Sequence, residues 1–539
     1  MKYTLPLEVI VGQNLAMTKN VKKSGGLFKS AMVMSAATSL SRMLGLVREQ
    51  TIAYFFGVSG LTDTFNVAYR IPNLLRDLLA EGSFSSAFVP SFTQALQKNI
   101  EEARELFRSS FWFLLMLTSF FTIVFFVLSP SLITLFAPEY THDPEKMHLT
   151  VVMLKIMSPF VVLTTLAAII MGVLNTHKFF FIPALAPASF NLLSISTIWL
   201  LTDYLQDHGY QSIYSLAWGV LLGGIFQMGI QIPLLLKQGF DFRLPQVFFP
   251  PSLKQILRRL APGLVGYSTS QINILINTIL ATSAAVGSIT WLSFAFRLFS
   301  FPLGILSVSL GSSTLVHFSS YWKSDRKKEA INLLARSYYF AWLLVAVPFI
   351  FIIVFPDWLV HLVYERGKFH AHDTQETAQA LFWYGMGLPF YGLFKNLMPI
   401  FYSIDRAKIP MYTGVVSLMV NITYSMAFIG EYGHPALAQA TSLSMLSNVV
   451  LMMFFLTKYL DLGWNFFIPM KIIKLWSSVA LLLYPVIIFE RGVNFYLLST
   501  WNKLCLLGLR RWQNANACPL TYRKQRKNWW PGIRLNILG

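Results

Sequence analysis

Charge is scarce in this chain. Asp, Glu, Lys and Arg make up 12% of its 539 residues, about half of what a soluble globular protein carries. Too little polar surface is left to cover a water-facing fold of this length. Cysteine is scarcer still: Cys505 and Cys518 both fall in an atypical C-terminal segment, so neither a disulfide framework nor a thiolate metal site is implied. The motifs G-x-S-x-G and H-E-x-x-H and a phosphate loop are absent, and the nine histidines are scattered without a catalytic cluster. A hydrolase, a metalloprotease and a nucleotide-driven pump lose their usual signatures. No small-residue cleavage site follows the basic N-terminus, so no cleaved signal peptide is read.

What is abundant is apolar sequence. Hydrophobic residues reach 55% and the mean hydropathy is +0.54. A membrane-spanning helix needs roughly 20 mostly apolar residues, and thirteen stretches qualify: 28–56, 62–91, 109–135, 149–174, 182–202, 212–236, 260–283, 288–320, 337–362, 377–402, 410–430, 435–457 and 472–490. A fourteenth, 493–509, is interrupted by Trp501, Asn502 and Lys503. The net charge of +19 does not signal nucleic acid, because the bases sit in short loops. The N-terminus and every second loop carry Lys22, Lys23, Lys29, Lys98, Arg104, Lys178, Arg243, Lys254, Arg258, Arg259, Lys323, Arg326, Lys327, Lys328, Arg406 and Lys408. The alternate loops offer only Lys146, Arg366 and Lys368, beside Asp143, Glu145, Asp203 and Asp207. The positive-inside rule then predicts a cytoplasmic N-terminus. It also favours the fourteenth crossing, which returns Arg510, Arg511, Arg523, Lys524, Arg526 and Lys527 to that side.

The chain also repeats itself, at a nearly constant offset of 227 to 230 in the numbering. Ala68-Tyr69-Arg70-Ile71 recurs as Ala295-Phe296-Arg297-Leu298, and Ser86 and Val89 as Ser313 and Val316. Pro159-Phe160 recurs as Pro389-Phe390, Ile182-Pro183 as Ile409-Pro410, and Asn191 as Asn421. Six spans apart means equal orientation in the membrane, a parallel repeat of two six-helix bundles enclosing a central cavity. The predicted organisation is an N-terminal extension (1–26), a first bundle (27–240), a second bundle (250–460), helices 13 and 14 (470–509) and a basic tail (510–539).

Ionisable residues inside spans are expensive, about 2.5–3.5 kcal/mol each at the bilayer centre, and normally face a cavity or the bundle interior. In span 2, Asp63, Asn66, Arg70, Asn73, Asp77 and Glu81 recur every three or four residues and share one helical face, with Arg76 to one side. A salt-bridged seam pairing Arg70 with Asp77 or Asn73 is the structural alternative. Span 1 brings Arg42 and Arg48, with Ser41, Gly45 and Glu49; span 8 brings Arg297. Snorkelling of Arg48 to an interface, and pairing of Arg297 with a span 2 carboxylate, are the alternatives there. Arg42, Arg48, Arg70, Arg76 and Arg297 exceed the nearby acids. Guanidinium forks stay charged when desolvated and match phosphate oxygens, so the surplus points to an anionic, phosphorylated substrate.

Residues 41–92, SRMLGLVREQTIAYFFGVSGLTDTFNVAYRIPNLLRDLLAEGSFSSAFVPSF, strongly resemble the lipid II flippase family, MurJ or MviN. Further matches are GVLNTHKFFFIPALAPASFN (172–191), LAWGVLLGGIFQ (216–227), FRLFSFPLGILSVSLG (296–311) and ERGKF (365–369). The resemblance runs from about residue 27 to about residue 490. It implies an all-α polytopic protein of the multidrug/oligosaccharidyl-lipid/polysaccharide exporter superfamily, with two pseudo-symmetric six-helix bundles around a central cavity plus one or two C-terminal helices. It implies movement of undecaprenyl-pyrophosphate disaccharide-pentapeptide to the outer leaflet of the bacterial cytoplasmic membrane. The family's cavity arginines map onto Arg42, Arg48, Arg76 and Arg297, and its acids onto Asp63 and Glu81. The chain departs from the family at Glu49 (usually Asp), Phe296 (often an acid) and His317 (commonly Pro). It also departs after about residue 491, where the family's lipid-tail groove loses its pattern, and in the stretch before Met17, which makes Met17 a candidate start.

The reading that unites these features is a transporter, not an enzyme. Substrate binding is assigned to Arg42, Arg48, Arg76, Arg297, Ser41 and Asn73. Gating or charge pairing is assigned to Asp63, Arg70, Asp77, Glu81 and Glu49. No metal or cofactor is expected, with the membrane potential or a coupling ion as the energy source. Expected partners are lipid II and membrane lipids, with cell-wall synthesis and division machinery as candidates and no nucleic acid. The alternatives are an exporter of another polyprenyl-linked oligosaccharide or of a drug; a membrane glycosyltransferase or a scaffold fits the short outer loops and buried arginines poorly.

Overall fold

The structure is a computed structural model that describes residues 36–79, 83–406 and 408–467, with 474, 476–478 and 481 beyond them. The N-terminal extension, Glu81, most of helix 13, helix 14 and the basic tail lie outside the described residues. Seventeen α-helices are described, joined by short connections: α1 (36–56), α2 (Gly60–Leu79), α3 (Ser83–Lys98), α4 (Ile100–Val127), α5 (Ser129–Phe136), α6 (Pro144–Met157), α7 (Phe160–Thr176), α8 (Phe181–Asp207), α9 (Tyr214–Gly229), α10 (Ile232–Lys237), α11 (Pro251–Thr282), α12 (Ser288–Lys323), α13 (Lys327–Val354), α14 (Pro356–Tyr364), α15 (Ala371–Ser403), α16 (Lys408–Tyr432) and α17 (Pro435–Leu460). Grouped by crossing they give the first twelve predicted spans: α2 with α3, α6 with α7 and α9 with α10 form one crossing each.

Local chemistry sets the helix ends. Asn99 caps α4 by accepting from the Glu101 N–H at 3.1 Å, and Asp143 caps α6 by accepting from the Lys146 N–H at 3.1 Å. Two predicted spans, 109–135 and 337–362, prove to cross helix breaks. α4 stops at Val127 and α5 restarts at Ser129-Pro130; α13 stops at Val354 and α14 restarts at Pro356. Proline favours the first turn of a helix and lacks the N–H that would continue the previous one. The breaks, at Leu128 and Phe355, are related by the repeat offset, so a short helix after the third crossing belongs to the repeat. The fourth crossing differs between halves: α6 and α7 part at Ser158-Pro159, while α15 runs unbroken through Pro389 and Pro399.

Among the described residues, seven helical segments are long and apolar enough to cross a membrane by themselves. On α4 and α16 the outward positions are apolar too, with Phe120, Ile123, Phe126, Met419 and Met426 exposed. Apolar surface on all sides belongs in lipid. Inside, the buried side chains form three clusters. One gathers Ile52 and Phe56 of α1, Phe65 and Ile71 of α2, Met153 of α6, Leu292 and Phe299 of α12, and Leu381 and Leu388 of α15. It joins the two halves. A second lies largely in the first half, around Phe88, Phe92, Phe107 and Phe240. A third lies in the second half, around Phe318, Tyr338, Leu397 and Met452. The halves therefore share one core at the end that carries residues 57–59 and 283–287 and keep separate cores at the basic end.

Candidate functional site

Between the halves lies a small cavity lined by Arg48, Glu49, Asn66, Tyr69, Ser194, Ser293 and Arg297 with apolar neighbours from α1, α2, α8 and α9. Arg48 and Glu49 are adjacent on α1, and the Arg48 Nη2 donates to Glu49 Oε1 at 2.7 Å. From the other half, Arg297 Nε stands 3.4 Å from the same oxygen. The Arg48 guanidinium also rests over the Phe190 ring, 5.4 Å from its centroid, which holds a desolvated cation in place. Glu49 is buried at 8% side-chain exposure, and Arg297 is open to the cavity at 47%. Two guanidiniums thus share one carboxylate, which among the described lining residues leaves the cavity with a net positive charge.

The other predicted residues divide around this point. Asn73 Nδ2 donates to Asp77 Oδ2 at 3.2 Å, and Arg76 grips Asp77 Oδ1 through Nε at 3.1 Å and Nη2 at 2.7 Å. The alternative that pairs Arg70 with Asp77 or Asn73 is therefore corrected: Arg76, the residue just before Asp77, takes the carboxylate, and Asn73 bonds Asp77 as well. Arg70 lies within electrostatic reach of Asp77, Arg297 and Arg76, but among the described residues no partner reaches its Nε and Nη2. The alternatives for the other arginines are corrected too. Arg297 pairs with the α1 acid Glu49 rather than with span 2, and Arg48 is packed inside rather than snorkelling. Arg42 lies against Gly304 of α12, where a Cβ would overlap its guanidinium. Ser41 contributes its backbone, the carbonyl accepting from Asn191 Nδ2 at 3.1 Å.

Asp63 is not in the cavity. It is buried at the joined end, where Oδ2 accepts from the Gly287 N–H at 2.6 Å and Oδ1 from the Thr290 N–H at 2.9 Å and hydroxyl at 2.7 Å. No side chain of its own caps α12, so a carboxylate from the opposite half satisfies its first N–H groups and complements its dipole. Asn66 adds a bond to the Thr290 hydroxyl at 3.0 Å. Beside it, the Lys368 N–H donates to the Tyr54 carbonyl at 3.0 Å. Gly57 and Gly367, both left-handed with φ of 57° and 60°, let these backbones interlock; a Cβ on either would strike the opposite carbonyl oxygen.

Tyr69, Ser194 and Ser293 line the cavity and Phe190 packs beneath Arg48, and sequence reasoning missed all four. Ser293 carried a signal, since it is the counterpart of Asn66 at the repeat offset. Phe190 carried none, being one of 46 phenylalanines. Among the described residues, no group of three or more His, Cys, Asp or Glu is placed to hold a metal ion.

Comparison with known proteins fits this geometry. The family model described as "Lipid II flippase MurJ" matches residues 52–504. A protein named "Probable lipid II flippase MurJ" from Buchnera aphidicola subsp. Acyrthosiphon pisum is 32% identical over 486 residues, 88% of this chain and 92% of its own. One named "Lipid II flippase MurJ" from Burkholderia cenocepacia is 32% identical over 442 residues, 80% of this chain and 84% of its own. Among solved structures, a lipid II flippase MurJ in an inward-closed conformation superposes with a TM-score of 0.67 at 26% identity, covering 86% of this chain and 99% of that one. An inward-facing multidrug transporter of the MATE family shares the fold, with a TM-score of 0.66 at 13% identity over 80% of this chain and 99% of that one. Matched over most of its length by that family model and by both of these relatives, the chain belongs to the lipid II flippase MurJ family.

Proposed function

We propose that this protein moves lipid II from the inner to the outer leaflet of the bacterial cytoplasmic membrane by alternating access. The observation that carries the reading is the cavity's charge: Arg48 and Arg297, from opposite halves, share the single carboxylate of Glu49. A pyrophosphate competes for both forks and replaces one weak partner with several oxygens. The distribution of Lys and Arg supports a cytoplasmic N-terminus, which makes the joined end the outer one. In this reading lipid II reaches the cavity from the cytoplasmic leaflet. The head group enters among Arg48, Arg297 and the donors further along α2, while the polyprenyl tail stays in hydrocarbon. Binding draws Arg297 and Arg48 together, closes the basic end and loads strain onto the Asp63 cap. Release outward leaves an empty, positive carrier, whose return the membrane potential favours by about 2.3 kcal/mol per charge per 100 mV.

The test is replacement of a conditional lipid II flippase in a bacterial host. The full chain and a version from Met17 are each expected to restore growth and outer-leaflet lipid II. Arg48→Ala and Arg297→Ala, inserted normally, are expected to be inactive. Full activity in both variants overturns the anion site. Failure of a folded, inserted wild-type chain moves the cargo to another polyprenyl-linked glycan.

A further inference from the structure

Seven of the nine histidines, at positions 142, 148, 208, 361, 370, 372 and 434, fall on the joined end, where Lys and Arg are nearly missing. One of them is buried against the helix that the Asp63 cap holds. His434 is the N-cap residue of α17 and is 4% exposed. Its Nε2 stands 3.1 Å from the Glu376 carbonyl of α15. A carbonyl only accepts, so Nε2 carries the proton and Nδ1 is bare in the neutral ring. The ring lies 5.0 Å from that of Trp291 in the first turn of α12, and Trp291 directly follows Thr290, the residue that Asp63 grips. Trp291 in turn donates through Nε1 to Asp373 of α15 at 3.2 Å.

We infer that His434 is a proton-binding site that holds the outer end shut while neutral and releases it when protonated from outside. This rests on the alternating-access reading above. The charged groups around the ring come from two elements. On α15, the Glu376 carboxylate lies 3.9 Å from Nε2, the exposed His372 lies 4.0 Å from the same carboxylate, and Asp373 is tied to Trp291. On α16, Glu431 bonds Tyr432 rather than the imidazole. A second proton on the ring would place a cation at the positive end of α17, in a pocket closed by the Trp291 indole. Burial accordingly pushes the imidazole down to about 4. A state in which α12's first turn has moved and the ring meets water returns it to the ordinary 6.5. The closed state thus binds fewer protons, and it loses ground as pH falls from 6.5 toward 4. Between pH 8 and pH 5 the open-to-closed ratio rises about 30-fold by linkage.

The test uses the full chain in lipid nanodiscs with Cys505 and Cys518 replaced by Ser and spin labels on Gln206→Cys and Ala371→Cys, exposed positions at the outer end of each half. Double electron–electron resonance is expected to show the longer distance gaining about 30-fold over the shorter between pH 8 and pH 5. His434→Gln, which keeps a neutral donor, is expected to stay closed across that range, while His361→Gln on the exposed surface keeps the full response. An unchanged pH response in His434→Gln overturns the proposal. So does a pH-silent wild type whose labels separate on Asp63→Asn, and that result leaves the two-ended cycle standing. If neither acid nor Asp63→Asn separates the labels, the outer-gate reading fails and the proposal with it.

Discussion

The two halves share a fold but not an equipment list. The first half brings Arg48, Glu49, Asn66 and Tyr69 to the cavity; the second brings Arg297 and Ser293. At the repeat spacing of 227 the α1 pair Arg48 and Glu49 corresponds to Leu275 and Ile276 of α11, so the second half has no copy of it. Asp63 corresponds to Thr290, and these two side chains touch each other. Equivalent residues in contact must lie close to the axis that relates the halves. Two acids there would repel, whereas an acid facing a hydroxyl and two backbone N–H groups is complementary. Divergence at the axis therefore built a closure, and divergence along α1 built the anion site.

The largest way to break this complementarity is to restore symmetry. Thr290→Asp sets a second carboxylate against Asp63 and removes one donor. Like charges in contact cost several kcal/mol, so closure at the outer end should weaken by about 3–4 kcal/mol. The readout is labelling of Ser293→Cys, in a chain without Cys505 and Cys518, by a membrane-impermeant thiol reagent from outside. Labelling should become fast, with loss of complementation; protection equal to the parent's would remove Asp63 and Thr290 from the gate. Asp63→Asn is milder. It keeps the shape but turns charge-assisted bonds into neutral ones, and a loss of about 2 kcal/mol is expected. The same labelling assay should rank it between the parent and Thr290→Asp. Gly367→Ala follows at about 1–2 kcal/mol for a left-handed alanine, plus its clash with the Tyr54 carbonyl. Gly430→Ala, with open space around its Cβ, should leave labelling unchanged.

Much of this is legible in the sequence. Apolar run lengths place the crossings, because lipid forces each backbone to satisfy itself within one helix. The spacing of 227 marks α2 and α12 as equivalent helices of two related bundles, and intramembrane arginines mark the cavity because a buried charge needs a reason. What remained hidden were partners chosen by geometry. Asp77 sits one residue from Arg76 and seven from Arg70, and helical spacing favours the latter; the rotamer of Arg76 decides otherwise. Asp63 reads as a gating or charge-pairing acid, yet its partners are a hydroxyl and two backbone N–H groups at the start of another helix, which no side-chain pattern announces. The helix breaks at Leu128 and Phe355 were masked by apolar sequence that continues straight through them. His434 looked like one more loop histidine, since burial is a tertiary property.

Phe190 offers the smallest effect and the finest test of the asymmetry. At the spacing of 230 that aligns Asn191 with Asn421, its counterpart is Val420, and the α11 position equivalent to Arg48 is Leu275, which gives Val420 no cation to serve. If Phe190 is retained only as packing, Phe190→Leu should lower thermal stability and leave anion affinity alone. If its ring face positions the Arg48 guanidinium, Phe190→Leu should weaken lipid II binding by the worth of one cation–π contact, about 0.5–1 kcal/mol, or roughly two- to fivefold. Ring fluorination separates the two, because it withdraws charge from the π face while nearly preserving volume. Affinity that falls stepwise from phenylalanine through mono- to trifluorophenylalanine at 190, with unchanged melting temperature, would make Phe190 part of the anion site. A flat series would reduce it to packing beneath Arg48 and leave that guanidinium held by Glu49 alone.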